Sequence, residues 1–323
     1  MSAQEGASPV LSAPAASPVP FDWAPWMVFI ATVTLSFKGI AVKSAYGTGM
    51  GIAMVVAMRF VFSVPLFWAG ERLINRGKVL APLSWAEIRA TAGVASLFAI
   101  ATISDLSALS FIDAGVSRVI LFTFPAVILI AKAIERRSLP ETRHLIAFIV
   151  TYGGLVLVIL PGRFEMAKGL SWEGIALALV SALTYGLFLT RTQSLTKRMG
   201  SARFTAWSNT FVVLYVLLAA PFLGGGWDLP LAGLGWSLVN AIFCTVVPFF
   251  LLFEGINRWG AEKAGLLALL GPVITMVFAW WLLGETVEVP QLAGFGVVLL
   301  GVATLQGTDR VILRALLGSR ASV

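Results

Sequence analysis

Charged side chains fall where water is scarce in this chain: Lys38, Arg59, Asp105, Arg118, Glu254 and Lys263 lie inside or at the edges of long apolar blocks. A charge at the centre of a hydrocarbon layer costs about 2.5 to 3.5 kcal/mol on insertion scales, so such groups face a cavity or a partner. The Lys38 ammonium suits the carboxylate of a solute. Thr34 shares its helix face one turn earlier, and Thr32 and Ser36 broaden the polar stripe. A lysine that snorkels toward outer headgroups is the alternative. Arg59, Asp105 and Arg118 fall at similar depth. A carboxylate shared between two guanidiniums is therefore expected, as a gate closing the outer mouth or as a static salt bridge. Arg118 is also a candidate for holding a substrate carboxylate. On the other side Glu254 precedes Arg258 by four residues and Lys263 follows across a short turn. That spacing reads as an inner latch or as an ordinary surface pair.

Uncharged groups extend the candidate site. Tyr185 precedes Gly186 as Lys38 precedes Gly39, so both side chains can project into one cavity. Asn209, Asn240 and Trp207 offer amides and an indole that bond or stack on a ligand, although Trp207 reads first as an interfacial anchor. Trp280 and Trp281 are adjacent and diverge by about 100° around a helix, so at most one faces a cavity. Pro125 and Pro272 sit near the middle of apolar blocks, where each is expected to kink its helix. With Gly39 and Gly186 they are candidate hinges, and fixed kinks that only shape the bundle are the alternative. There is no P-loop, His-Glu-x-x-His motif, nucleophile elbow or Asp-rich pair, and His144 is the single histidine. Neither an enzyme nor a metal or other cofactor is expected.

The elements that must carry these residues follow from composition. The chain has 323 residues, 58% hydrophobic and 12% charged. That excludes a water-soluble globule. The expected spans are about 24–43, 49–69, 88–110, 114–134, 144–161, 172–191, 204–223, 234–256, 261–283 and 289–307, each long enough to cross the bilayer as a helix. The domain reading is a disordered tail over 1–23, five helices over 24–161, five more over 172–307, and a tail over 308–323. Seventeen of the 23 Lys and Arg residues fall in the even-numbered loops and the C-terminal tail. This places both ends in the cytoplasm of a multi-pass inner-membrane protein. The net charge of +7 is dispersed over short loops, which argues against nucleic acid as a partner. Cys244 is alone, so no intrachain disulfide can form. The expected partners are the lipid bilayer and a small-molecule substrate, and the expected state is a monomer.

Sliding the chain along itself by 147 residues brings Gly39 onto Gly186, Ala114 onto Ala261, Pro125 onto Pro272, Phe148 onto Phe295 and Gly154 onto Gly301. Five spans per copy make the second copy enter the membrane inverted. The fold class is thus all-α, ten transmembrane helices in two inverted five-helix repeats. Such halves can open a midplane site to each side in turn, as a carrier does.

The run Ala108 to Leu160, with Ala114-Gly-Val-Ser-Arg118, Pro125, Glu135-Arg136 and Gly153-Gly154, resembles the drug/metabolite transporter superfamily of the EamA type. So does its copy from Gly255 to Leu305, with Ala261, Pro272, Gly284-Glu285 and Gly301. Ser36-Phe-Lys-Gly39 and Met58-Arg-Phe60 fit the same pattern. The resemblance covers nearly the whole chain after residue 23 and departs from the family at Arg118, where small or apolar residues are usual. It implies a ten-helix inner-membrane exporter of metabolites, most similar to bacterial exporters of aromatic amino acids. The resulting expectation is an alternating-access carrier exporting small amphiphilic metabolites. A carrier of drug-like or other metabolites and a solute channel are the alternatives.

Overall fold

A backbone without water to bond must satisfy its own N–H and C=O groups, which a helix does within a single segment. The computed structural model describes residues 22–77, 82–108, 111–112, 114–159, 171–219, 221, 228, 230–283 and 289–306. Among these residues every regular element is helical. The α-helices are α1 (Ala24–Ser36), α2 (Lys38–Tyr46), α3 (Ile52–Ile74), α4 (Trp85–Ala108), α5 (Ala114–Leu121), α6 (Phe124–Arg136), α7 (Thr142–Ile159), α8 (Trp172–Met199), α9 (Ser201–Ala219), α10 (Leu231–Ala241), α11 (Val247–Trp259), α12 (Ala261–Leu267), α13 (Gly271–Leu283) and α14 (Val289–Gln306). Seven helical stretches are long and apolar enough to cross a membrane, and Thr142–Leu157 and Val289–Val302 are shorter apolar helices. Most of the expected N-terminal tail and the whole C-terminal tail lie outside the described residues.

Where the sequence predicts an unbroken span, several are broken. The first divides at Phe37, so that Lys38 opens α2 instead of continuing α1. The expected mid-helix kink at Pro125 is a break: α5 stops at Leu121 and Pro125 is the second residue of α6. Its copy behaves alike, with a 3₁₀ turn over Ala268–Leu270 and Pro272 second in α13. Proline is at ease there, because the first N–H groups of a helix have no intrahelical acceptor and the ring supplies a helical φ. A third proline, Pro248, lies second in α11 behind a π-turn over Ile242–Val246. Having no N–H, Pro248 cannot bond the Cys244 carbonyl four residues back, and its ring would crowd that carbonyl. The wider π-turn relieves both, with the Val247 N–H donating to the Ile242 carbonyl.

The outer surface is apolar, unlike that of a water-soluble protein, and polar side chains join the apolar ones inside. Trp23, Trp26, Trp85 and Trp172 are exposed at helix starts, as are many Leu, Ile and Val residues along the bundle, while Thr32, Ser63, Ser181, Thr205 and Asn209 are buried. Trp280 and Trp281 are both exposed, which takes both indoles out of any interior cavity. The two halves interlock through α1 with α11, α4 with α8, α3 with α9 and α7 with α14. The α7–α14 crossing is the closest. A Cβ on Gly154 would stand 2.7 Å from the Val298 nitrogen, and one on Gly301 would stand 2.6 Å from the Thr151 nitrogen. Residues 154 and 301 are 147 apart, as are 151 and 298, so each half presents the same surface to the other. Gly200 and Gly260 are the lone residues between α8 and α9 and between α11 and α12, at φ of 83° and 94°. Such backbone is costly for any residue with a Cβ.

These contacts distinguish neighbouring glycines. Gly154→Ala is expected to destabilise the bundle by about 1–3 kcal/mol through overpacking. Gly153→Ala, whose Cβ would meet nothing within 4 Å, is expected to be neutral. Thermal midpoints of the two variants in the same detergent check this.

Candidate functional site

The break at Phe37 and the π-turn bring charge and polarity together between the halves. Lys38, at the start of α2, lies within coulombic reach of Arg59, Arg118 and Asp105, with Cys244 also close. Asp105 of α4 pairs with Arg118 of α5 at 3.0 Å and accepts a longer bond from the Ser117 hydroxyl at 3.4 Å. The carboxylate is not shared, contrary to expectation. Arg59, on α3, turns to the second half, where its Nε donates to Thr245 Oγ1 at 2.7 Å and its guanidinium carbon stands 4.9 Å from the centre of the Phe60 ring. Thr245 in turn donates to the Asn240 carbonyl at 3.0 Å. The geometric reason is that α3 packs on α10 and the π-turn, which puts Thr245 within reach of Arg59. Among the described residues neither Lys38 nor Arg59 has a carboxylate partner within 4 Å, and Lys38 has no hydrogen bond. Arg118 is neutralised by Asp105, so the two cations left over are Lys38 and Arg59.

Aromatic rings cluster around Tyr185, and one of them, Phe98, also packs against the group that holds Phe60, the ring beside Arg59. Tyr185 meets Phe124 at 4.9 Å, Phe98 at 6.1 Å and Phe188 at 6.2 Å between ring centres, and Phe98 and Phe188 are 4.9 Å apart. Gly186 makes room for this packing, since a Cβ there would stand 2.9 Å from the Phe124 carbonyl. The side chain of Gly39's neighbour Lys38 is thus placed at a helix break, whereas Tyr185 sits within the unbroken α8. Trp207 packs edge-on against Trp68 at 5.4 Å and beside Phe211, and the buried Asn209 donates to the Thr205 carbonyl of its own helix at 2.8 Å. Both are engaged in packing α9. Asn240 differs: it is 1% exposed and neither its Oδ1 nor its Nδ2 has a hydrogen-bond partner. An apolar cavity of about 370 Å³ flanks the patch, lined by Val33, Thr34, Phe37, Val239, Phe243 and Phe278, and does not reach Lys38 or Arg59.

A second ionic cluster lies at the end of the bundle that carries Arg136, Arg258 and Lys263. The expected latch of Glu254 with Lys263 is not formed. Glu254 takes Arg258, one turn on, and the Ser201 hydroxyl, while the Lys263 ammonium sits 5.8 Å from the Trp259 ring centre. The ties between halves are others: Arg136 to Glu262 at 3.2 Å, and Arg191 to Glu135 at 3.4 Å. His144 is 4% exposed and stands 3.7 Å from Glu262 and 3.8 Å from Glu141. Arg136, Glu141, His144, Arg258, Glu262 and Lys263 line a polar cavity of about 250 Å³. Sequence reasoning missed Glu262; its position as the second residue after Gly260, one turn before an apolar run, was the available signal. It also left Thr245 in the background, although Pro248 three residues on marks a disturbed helix.

Glu262→Gln removes the charge that Arg136 and His144 both approach, and is expected to cost about 1–2 kcal/mol. Glu135→Gln acts on a carboxylate whose side chain is 36% exposed and is expected to change stability little, because solvent screens it. Thermal unfolding of both variants side by side checks the difference.

Comparison with known proteins bears on what such an arrangement does. Residues 172–306 match the EamA-like transporter family. The uncharacterized transporter YcbK of Bacillus subtilis (strain 168) is 27% identical over 290 residues, covering 86% of this chain and 91% of that protein. An uncharacterized transporter of Archaeoglobus fulgidus is 26% identical over 287 residues, covering 86% and 96%. An uncharacterized inner membrane transporter of Salmonella typhimurium, YicL, is 25% identical over 209 residues, covering 63% and 67%. A protein crystal structure superposes with a TM-score of 0.71 at 14% identity, over 88% of this chain and 98% of that one, which is a likeness of fold. Together with the apolar helices, these likenesses support a multi-pass membrane transporter, similar to the EamA-like family that its residues 172–306 match.

Proposed function

We propose that the protein is an ATP-independent carrier that works by alternating access and exports small amphiphilic metabolites, amino acids including aromatic ones, across the inner membrane. In this reading ten helices form two inverted five-helix repeats with both chain ends in the cytoplasm. The matched crossing of α7 and α14 and the paired breaks before Phe124 and Gly271 support it. The observation that carries the substrate class is the pair of cations with no carboxylate partner among the described residues, Lys38 and Arg59, with the aromatic cluster around Tyr185 reaching Arg59 through Phe98 and Phe60. Cations held in a bundle without a neutralising carboxylate favour an anionic ligand, and a carboxylate with an apolar body fits both surfaces. Lys38 and Arg59 receive the carboxylate, and Tyr185, Phe98 and Phe188 meet the side chain. Arg118 and Asp105 act together as a closing pair that parts when the helices separate. The ties of Glu262 and Glu135 close the other end.

The test is flux of labelled amino acids in sealed proteoliposomes. Saturable flux with counterflow is expected, reduced about tenfold or more by Lys38→Ala and by Arg59→Ala, with Lys38→Arg retaining a larger share than Lys38→Ala. Flux that does not saturate would identify a channel. Competition by cationic dyes but not by amino acids would overturn the substrate class.

A further inference from the structure

We infer that the end of α10, just before the π-turn, carries the specificity element for the amino group of the substrate, with Asn240 as its acceptor, so that the ligand is a zwitterion and not a simple carboxylate. This rests on the carrier reading above. Gly233, Ser237, Asn240 and Cys244 recur at helical spacing and share one face of α10 and the π-turn. A Cβ on Gly233 would run into Met50 and stand 2.9 Å from the Thr48 hydroxyl, and the Ser237 hydroxyl lies 3.7 Å from Met50 Sδ. At the other end of the face, Cys244 lies within coulombic reach of Arg59 and Lys38. Asn240 therefore sits between the α2–α3 connection and the two unpaired cations. It is buried, and its amide oxygen and nitrogen are both without partners.

A buried amide with neither atom satisfied is uncommon enough to need an explanation, and a polar ligand or water is the usual one. The ligand chemistry follows from the neighbours. Lys38 and Arg59 supply only donors, which suit a carboxylate and repel an ammonium. Asn240 Oδ1 is a neutral acceptor one helical turn from Cys244, the residue that lies near both cations. An ammonium placed on the carboxamide side and a carboxylate placed on the cation side is the arrangement of an α-amino acid. Interrupted helices near the midplane supply this kind of backbone and side-chain acceptor in transporters.

Phenylalanine and its des-amino analogue 3-phenylpropionate, each at the same subsaturating concentration in proteoliposomes, test the assignment. In the unmodified protein phenylalanine flux is expected to exceed that of 3-phenylpropionate about tenfold or more. Asn240→Leu, close in volume but without polar atoms, is expected to bring the ratio to within about threefold while 3-phenylpropionate still moves. Asn240→Asp, which keeps acceptor oxygens, is expected to retain the preference. Should Asn240→Leu fail to insert as a folded protein, Asn240→Ala removes the side-chain acceptor and is expected to lower the ratio in the same way. A ratio unmoved by Asn240→Leu or Asn240→Ala, with saturable flux intact, overturns the role of Asn240 and leaves the carrier reading standing. Absence of saturable flux for both probes in the unmodified protein overturns the carrier reading and this inference with it.

Discussion

A positive charge in a low-dielectric bundle is tolerated only when something negative, or a dense set of acceptors, stands against it. Most of the charges described here obey that constraint internally. Asp105 neutralises Arg118, Glu262 answers Arg136, and Glu254 answers Arg258. Among the described residues Lys38 and Arg59 have no carboxylate partner, and the architecture around them is what makes this possible. Lys38 opens a new helix after the break at Phe37, and Arg59 is steadied by a hydroxyl and a ring, which hold a guanidinium in place without discharging it. On the proposed reading an anionic solute completes this site.

Much of this architecture was legible in the amino-acid sequence, because bilayer thickness forces apolar blocks of a fixed length and duplication leaves proline and glycine at a fixed offset. Helices fall in each expected block, and Pro125 and Pro272 open corresponding helices after corresponding breaks. Depth along a helix was readable too, which is why Lys38, Arg59, Asp105 and Arg118 emerged as one group. What sequence could not supply is which neighbour each side chain turns toward. Arg59 and Arg118 lie at similar depth, yet only Arg118 reaches Asp105, because Arg59 looks across to the π-turn. Glu262 was passed over for the same reason: its partners Arg136 and His144 come from another part of the chain, and their meeting depends on how α12 packs on α6 and α7.

The two ends of the bundle are held differently. At one end the ion pair of Asp105 with Arg118 joins neighbouring helices of the same half. At the other, Arg136–Glu262 and Arg191–Glu135 join one half to the other. The single-glycine connections at Gly200 and Gly260 keep α8 with α9 and α11 with α12 in short succession. Relative movement of the halves must therefore break the cross-half pairs while leaving these connections intact.

The halves match at the α7–α14 crossing but not around the ligand. Both unpaired cations come from the first, and the unsatisfied amide and the π-turn come from the second. On the proposed reading the recognition surface is divided between the two halves. A bound solute would then be in effect mortar: its own interactions would add to the cohesion of the halves, and the empty protein would be the less firmly assembled form.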